Sequence, residues 1–198
     1  QRVGAVDVLI RDLPAPGESS RKLVLQGRSR LYEGVEHRRT ILSGPAPGSV
    51  LLVDEASSGD GHDYGLHLRA AQGLTASSAP AGGRWVDEGG GQVLEVKLWR
   101  IDKQAGALPV PLRVGENTFQ ASASHRGEQV TWVWLLQTGS EQAAEVAETL
   151  DISEGTIRWS GRSGALQVGL PVAADTIKWA PASAAPPPHD EREIAPAE

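Results

Sequence analysis

The sequence predicts an all-β protein, an antiparallel β-sandwich of two sheets with at most one short helix. Its 198 residues include 23 glycines and 13 prolines without a regular period, a composition that indicates many turns and short strands. Roughly a dozen apolar, β-branched runs are separated by turn signals every eight to twelve residues, a spacing typical of a β-sandwich. We therefore expect one β-sandwich domain over residues 1–180, followed by a Pro/Ala-rich, acidic tail over residues 181–198 that is disordered or extended.

The first half of the chain carries five predicted strands. Each is a β-branched or alternating run bounded by residues that favour turns, and a Gly-Pro-Ala-Pro-Gly turn separates the third strand from the fourth. A loop over residues 55–61 is expected between the fourth and the fifth. The predicted strands are residues 5–10, 22–26, 35–42, 49–54 and 62–70.

The second half is predicted to contain further strands and the one helix. Residues 117–122 and 129–137 are expected to form an antiparallel pair joined at residues 125–128. The alanine-rich segment 140–150, with Ser140 as its N-cap, is the helical candidate. The remaining predicted strands are residues 84–87, 92–101, 156–160, 165–170 and 176–179.

Composition also restricts the partners and the compartment. A formal net charge of −6 argues against nucleic acid, which needs clustered lysine and arginine. No apolar run approaches the roughly 20 residues that cross a bilayer, so no membrane contact is expected. The chain has no cysteine, so its composition does not distinguish an oxidising from a reducing compartment. It also has no methionine, even at position 1, and we expect an N-terminus made by removal of a signal or of a larger upstream piece. We expect a secreted or periplasmic protein.

Residues 31–70 contain the candidate metal ligands. This segment holds three of the five histidines and both tyrosines. His37, Asp54 and either His62 or His67 supply two imidazoles and one carboxylate, a set that suits zinc when a fourth position is left for water. Because strand side chains alternate, His62 and His67 point to opposite faces, and only one is expected to join the pair. The alternative is that these are ordinary hydrogen-bonded strand histidines.

Five further residues are candidates for catalysis or substrate binding. Tyr64 is a general acid or base candidate, although tyrosine is more often structural. Arg38 and Arg39 could recognise a carboxylate, or could belong to a solvated edge strand. Trp132 and Trp134 share a face and could stack on sugar rings, or could pack in the core between the sheets.

One succession of segments resembles a known family. GVEHRR, then the apolar strand SVLLVDEA, then GDGHDYGLHL resembles the C-terminal β-sandwich of heparinase II/III-type polysaccharide lyases, including relatives that act on alginate. The resemblance is clearest over residues 31–73 and looser to about residue 180. It implies a two-part enzyme in which a helical toroid packs against the β-sandwich to close the substrate cleft.

The resemblance also implies chemistry. It maps a zinc ion onto His37, Asp54 and one of His62 and His67, and a contribution to the cleft onto Tyr64. Enzymes of this family cleave uronic-acid polysaccharides by β-elimination, in which a base removes the proton next to the uronate carboxylate and an acid protonates the leaving oxygen.

This chain has no segment that could form the helical toroid. We therefore expect that it acts on acidic polysaccharide together with a separate helical-toroid chain and is inactive alone. The rival interpretation is a non-catalytic carbohydrate-binding or structural β-sandwich. A third is an interaction module whose proline-rich tail docks on another protein.

Overall fold

The computed structural model describes most of the chain. The described residues are 6–13, 22–32, 34–45, 48–69, 74–87, 89, 91–102, 106–114, 120–139, 149–161 and 164–181. Residues 182–198 of the tail predicted over 181–198 therefore lie outside them, as do residues 140–148 of the helix predicted over 140–150.

The described residues form fourteen strands and one short 3₁₀ turn, which confirms the all-β prediction. The 3₁₀ turn covers Ala174–Thr176. The strands are β1 Val6–Leu13, β2 Lys22–Tyr32, β3 Val35–Ser43, β4 Ser49–Arg69, β5 Leu74–Ala79, β6 Gly82–Asp87, β7 Val93–Asp102, β8 Gly106–Pro109, β9 Arg113–Val114, β10 Gln120–Gly139, β11 Thr149–Ser153, β12 Thr156–Gly161, β13 Gly164–Gly169 and β14 Ile177–Pro181.

The strands build two antiparallel sheets. The large sheet has the order β1-β2-β3-β4-β10-β7-β6-β5, with β8 beside β7 and β9 beside β10. The small sheet has the order β11-β12-β13-β14. Consecutive strands are neighbours in the small sheet, whereas the centre of the large sheet joins β4 to β10 and so brings distant parts of the chain together.

The two sheets pack face to face around one hydrophobic core. Leu51, Val53 and Val133 of the large sheet are fully buried against Ile157 and Trp159 of the small sheet. Burial of such side chains stabilises each by roughly 1.5–3 kcal/mol relative to exposure. We call the face of the large sheet that carries these residues the inner face. The opposite face is the outer face.

The outer face carries a second hydrophobic cluster. Its most buried described members are Trp85, Val96, Leu98 and Leu112, all of which come from the large sheet and the segment after β8. The Leu112 backbone N–H donates to the Gly82 carbonyl over 2.9 Å. The β5–β6 hairpin is thereby joined to the β8–β9 segment beside this cluster.

Two predicted breaks in the sheet are wrong. The predicted loop over residues 55–61 lies inside β4, and the predicted hairpin joint at 125–128 lies inside β10. These two long strands pair over residues 49–57 with 129–137 and over residues 62–69 with 120–127, and residues 58–61 pair with no residue of β10 at the register shift between these stretches. Pairing on both sides of the shift keeps β4 and β10 continuous where local propensity alone favours a loop.

Two further differences concern short segments. Residues 149 and 150, the end of the predicted helix, open β11, which pairs with β12 in the small sheet. Residues 74–79, which lie between the predicted strands 62–70 and 84–87, form the edge strand β5. In both cases the neighbouring strand supplies backbone partners that composition does not reveal. Among the described residues no helix is long and apolar enough to cross a membrane.

Candidate functional site

A pocket opens on the outer face of the large sheet at β3, β4 and β10. Its volume is about 690 Å³. It gathers six of the predicted site residues, His37, Arg39, Asp54, His62, Tyr64 and His67, around a floor that includes Trp132. Strand alternation predicts that only one of His62 and His67 joins His37 and Asp54, whereas both line this cavity.

Pairing between strands explains this convergence. Arg39 lies opposite Asp54 in the β3–β4 pair, and Asp54 lies opposite Trp132 in the β4–β10 pair. Directly opposite residues of an antiparallel pair share a face. His37 is two residues before Arg39 and therefore belongs to the same face.

Asp54 is the centre of the polar cluster. Only 2% of its side chain is exposed. Its Oδ1 accepts hydrogen bonds from Arg39 Nε over 2.6 Å and from His37 Nε2 over 3.1 Å, while Oδ2 accepts from Arg39 Nη2 over 2.9 Å. An ionised carboxylate only accepts, so the His37 Nε2 atom carries the proton in this bond. The prediction that His37 and Asp54 converge is confirmed.

These bonds set the charge of the cluster. Burial acts to raise the pKa of Asp54, but the hydrogen bonds and charges of His37 and Arg39 outweigh it and hold the pKa below its usual value. The bond to Asp54 raises the pKa of Arg39 in turn. Asp54 is therefore a carboxylate at neutral pH, and the fork of Arg39 is fixed at the pocket wall.

Tyr64 stands at another part of the same pocket. Its hydroxyl lies 2.9 Å from Ser58 Oγ and 3.0 Å from the Glu128 carbonyl oxygen, both at the register shift between β4 and β10. The His62 ring stands edge-on to it, with ring centroids 6.4 Å apart. The tyrosine is therefore held in place by the irregular part of β4.

The donor types of a zinc site line the pocket, and Arg39 occupies the carboxylate among them. Within the described residues no group of three His, Asp or Glu side chains is placed to hold a metal ion. Arg39 binds both oxygens of Asp54, so a metal would have to displace the guanidinium before Asp54 could coordinate it. Both His62 and His67 line the pocket, and zinc stays a prediction with His37, Asp54 and one of these two as its ligands.

Arg38 does not share the pocket with Arg39. It lies on the inner face, where its Nε donates to Glu55 Oε2 over 2.9 Å and where it lines a separate cavity of about 200 Å³. Glu55 in turn accepts the Val172 backbone N–H over 3.1 Å. The prediction that Arg38 and Arg39 serve one substrate site is wrong, because adjacent strand residues point to opposite faces.

The predicted sugar-stacking tryptophans are buried. Trp132 and Trp134 are 2% and 3% exposed and belong to the outer-face cluster. The prediction of an exposed stacking pair is therefore wrong. Both rings are packed, as the alternative has it, but in the outer-face cluster and not in the core between the sheets. Trp132 contributes to the pocket only as part of its floor.

Sequence reasoning missed two polar residues on the same face. Arg100 lies opposite Trp132 in the β7–β10 pair, and its Nη1 is 3.0 Å from His125 Nδ1. Burial, with the charge of Arg100, lowers the pKa of His125 although Asp102 acts in the opposite direction. His125, the partner of Arg100, comes from the segment 125–128, which was predicted to join two strands.

The comparisons show a likeness of fold. No protein-family model and no curated protein sequence matches the chain. Two solved structures of a heparinase III gene product, one with methylated lysines, match it with a TM-score of 0.50 at 12% and 13% identity. Each match covers 83% of this chain but only 27% or 28% of the other protein. The chain therefore shares a heparinase III-like β fold and spans about a quarter of the length of those proteins.

Proposed function

We propose that this chain is the β-sandwich part of a polysaccharide lyase that cleaves a uronic-acid polysaccharide by β-elimination together with a helical-toroid chain. The observation that carries the proposal is the pocket of Arg39, His37 and Tyr64 around the buried Asp54, set in a heparinase III-like fold. Acidic polysaccharide is the proposed substrate, and most catalytic groups belong to the helical chain.

Arg39 is the proposed contact for the uronate carboxylate. An arginine has five N–H donors, and Asp54 accepts from two of its nitrogens, so further donors remain for a ligand. The side chain is 45% exposed beside the pocket, which gives a substrate access to it. A carboxylate bound there would be neutralised by a guanidinium that Asp54 already orients, and no side-chain reorganisation would be needed on binding.

Tyr64 is the proposed proton-transfer group of this chain. In β-elimination a base removes the proton from the carbon next to the carboxylate, the bond to the leaving oxygen breaks as a carbon–carbon double bond forms, and an acid protonates that oxygen. The Tyr64 hydroxyl is fixed at the same pocket as Arg39, so it could reach the carbon or oxygen next to a bound carboxylate. The second proton-transfer group would come from the helical chain.

Reconstitution tests this function. The chain is mixed with the helical chain and a uronic-acid polysaccharide, and the absorbance of the unsaturated uronate product is followed. We expect product only from the mixture, and a loss of roughly 10²-fold or more in rate for Tyr64→Phe. Arg158→Gln on the small sheet is the matched control and should leave the rate unchanged. No product from any acidic polysaccharide would remove the enzyme interpretation.

A structural zinc ion is proposed as an alternative state of the same pocket. His37 and Asp54, with His62 or His67, would hold the ion and cross-link β3 to β4, and Arg39 would have to leave Asp54 when the ion binds. Metal content of the purified chain and its melting temperature with and without chelator test this proposal. Stoichiometric zinc and a lower melting temperature after chelation are expected, and His37→Ala should abolish both. Absence of zinc after purification in its presence would exclude the site.

The second candidate function is a carbohydrate-binding module without catalysis. The specific observation that favours it is that the Tyr64 hydroxyl is hydrogen-bonded to Ser58 and Glu128. These bonds are equally consistent with a structural role, in which Tyr64 shapes the pocket and transfers no proton. This candidate predicts that the chain alone binds an acidic glycan and that the mixture with the helical chain forms no unsaturated product.

A further inference from the structure

The outer face carries two arginines on either side of Trp132. One row of the sheet runs from Arg39 to Asp54, from Asp54 to Trp132 and from Trp132 to Arg100, each step between directly opposite residues. Their side chains therefore share a face. Three strand intervals separate Arg39 from Arg100, which is roughly 14 Å at the usual strand spacing.

His125 fixes the second arginine. The Arg100 guanidinium can only donate, so His125 Nδ1, which lies 3.0 Å from Arg100 Nη1, is the acceptor and the ring is the neutral tautomer with its proton on Nε2. This neutral form agrees with the lowered pKa of the ring. The His125 ring also stands nearly perpendicular to Trp132, at 85° and 6.4 Å between centroids. Arg100 is thus oriented by an uncharged partner and keeps its charge and its other donors.

The surroundings keep this pair open to a ligand. Arg100 and His125 are both partly exposed. Position 127, next along the strand on the same face as His125, is a glycine, and a Cβ there would lie 3.1 Å from His125 Nε2. His125 also lies opposite Tyr64 in the β4–β10 pair, which connects this region to the pocket.

We propose that Arg100, positioned by His125, forms a second subsite for a uronate carboxylate, so that this face binds two acidic groups of one oligosaccharide. The inference rests on the proposed function, since Arg39 supplies the first carboxylate contact. Two cations held at a fixed separation require acidic groups at a matching separation. The face is therefore specific for an acidic oligosaccharide and binds a single uronate weakly.

A titration with two ligands tests the second subsite. NMR chemical shifts of the chain are followed with glucuronate and with a uronate tetrasaccharide. We expect Arg100→Gln to weaken tetrasaccharide binding roughly tenfold, the size of one charge-assisted contact, and to change glucuronate binding by less than about twofold. Arg39→Gln should weaken both ligands. Arg158→Gln on the small sheet should change neither.

Variants of the positioning residue separate geometry from folding. His125→Ala removes the acceptor of Arg100 and should weaken tetrasaccharide binding, whereas His125→Asn can present a side-chain oxygen to Arg100 and should restore it. Gly127→Ala, which retains every charge, should weaken binding by displacing the His125 ring. Unchanged spectra outside the outer face show that each variant is folded.

The outcomes distinguish the two proposals. If Arg39→Gln weakens tetrasaccharide binding and Arg100→Gln does not, the second subsite is refuted and the proposed function stands. If the wild-type chain binds neither ligand, the second subsite is refuted, and the reconstituted lyase assay decides the proposed function separately. Equal weakening of both ligands by Arg100→Gln would also overturn the inference, since it would place Arg100 at the first carboxylate.

Discussion

Removal of the Arg39 side chain should destabilise the protein more than removal of the negative charge of its partner Asp54. Arg39→Ala leaves the Asp54 carboxylate, which is 2% exposed, with His37 as its described side-chain partner. Breaking a buried ion pair in this way costs about 3–5 kcal/mol, and we expect about 3 kcal/mol because the vacated space admits water. Asp54→Asn leaves a cation that is already 45% exposed and keeps an acceptor oxygen, so about 1 kcal/mol is expected.

The assay is urea unfolding of the wild type, both variants and the double variant at neutral and acidic pH. The pKa of Asp54 is held below its usual value of 3.8, so its contribution is present above that pH and is lost as the pH falls through the lower pKa of the folded state. The difference between wild type and Arg39→Ala should therefore shrink in acid. Arg158→Ala, which removes an exposed pair, should stay near wild type. An Asp54→Asn variant less stable than Arg39→Ala at neutral pH would refute this reasoning.

Three further predictions concern stability. Burial raises the pKa of Glu55, so protonated Glu55 contributes to the stability of the folded state below the usual pKa of 4.5, and this contribution is lost as the pH rises. In urea unfolding, Glu55→Gln should therefore become more stable relative to wild type as the pH rises from acid to neutral. No such relative gain would contradict this prediction. Gly82 has φ +123 and a Cβ there would lie within 2 Å of the Val96 carbonyl oxygen, so Gly82→Ala should lower the free energy of unfolding by more than about 2 kcal/mol, against about 0.5 kcal/mol or less for Gly61→Ala. Trp132→Ala should lower the free energy of unfolding by about 3–5 kcal/mol. Loss of glycan binding without this destabilisation would restore the sugar-stacking interpretation.

The sequence allowed the polar side of the site to be predicted because alternation along one strand is a local property. The spacing of His37, Arg39 and Ile41 predicts one face of β3, and the structure places His37 3.1 Å from Asp54 on that face. The same alternation places Arg38 on the opposite face from Arg39, although both arginines were candidates for binding a substrate carboxylate. The sequence left two interpretations of Trp132 open, sugar stacking and core packing, and the structure shows that the ring is buried.

What the sequence could not predict depends on pairing between distant strands. Residues 55–61 and 125–128 have the composition of turns, and they lie within strands because β4 and β10 pair on both sides of the register shift. The contact of Arg100 with His125 follows from the same pairing. Because a turn was predicted at residues 125–128 of β10, the sequence did not place His125 beside Arg100.

A crystal structure of the chain with a uronate tetrasaccharide tests the substrate site most directly. We expect the sugar on the outer face, with one carboxylate within hydrogen-bonding distance of the Arg39 guanidinium and Asp54 still paired behind it. A sugar bound at the inner-face cavity beside Arg38, or at the small sheet, would contradict the assignment of the outer-face pocket as the substrate site.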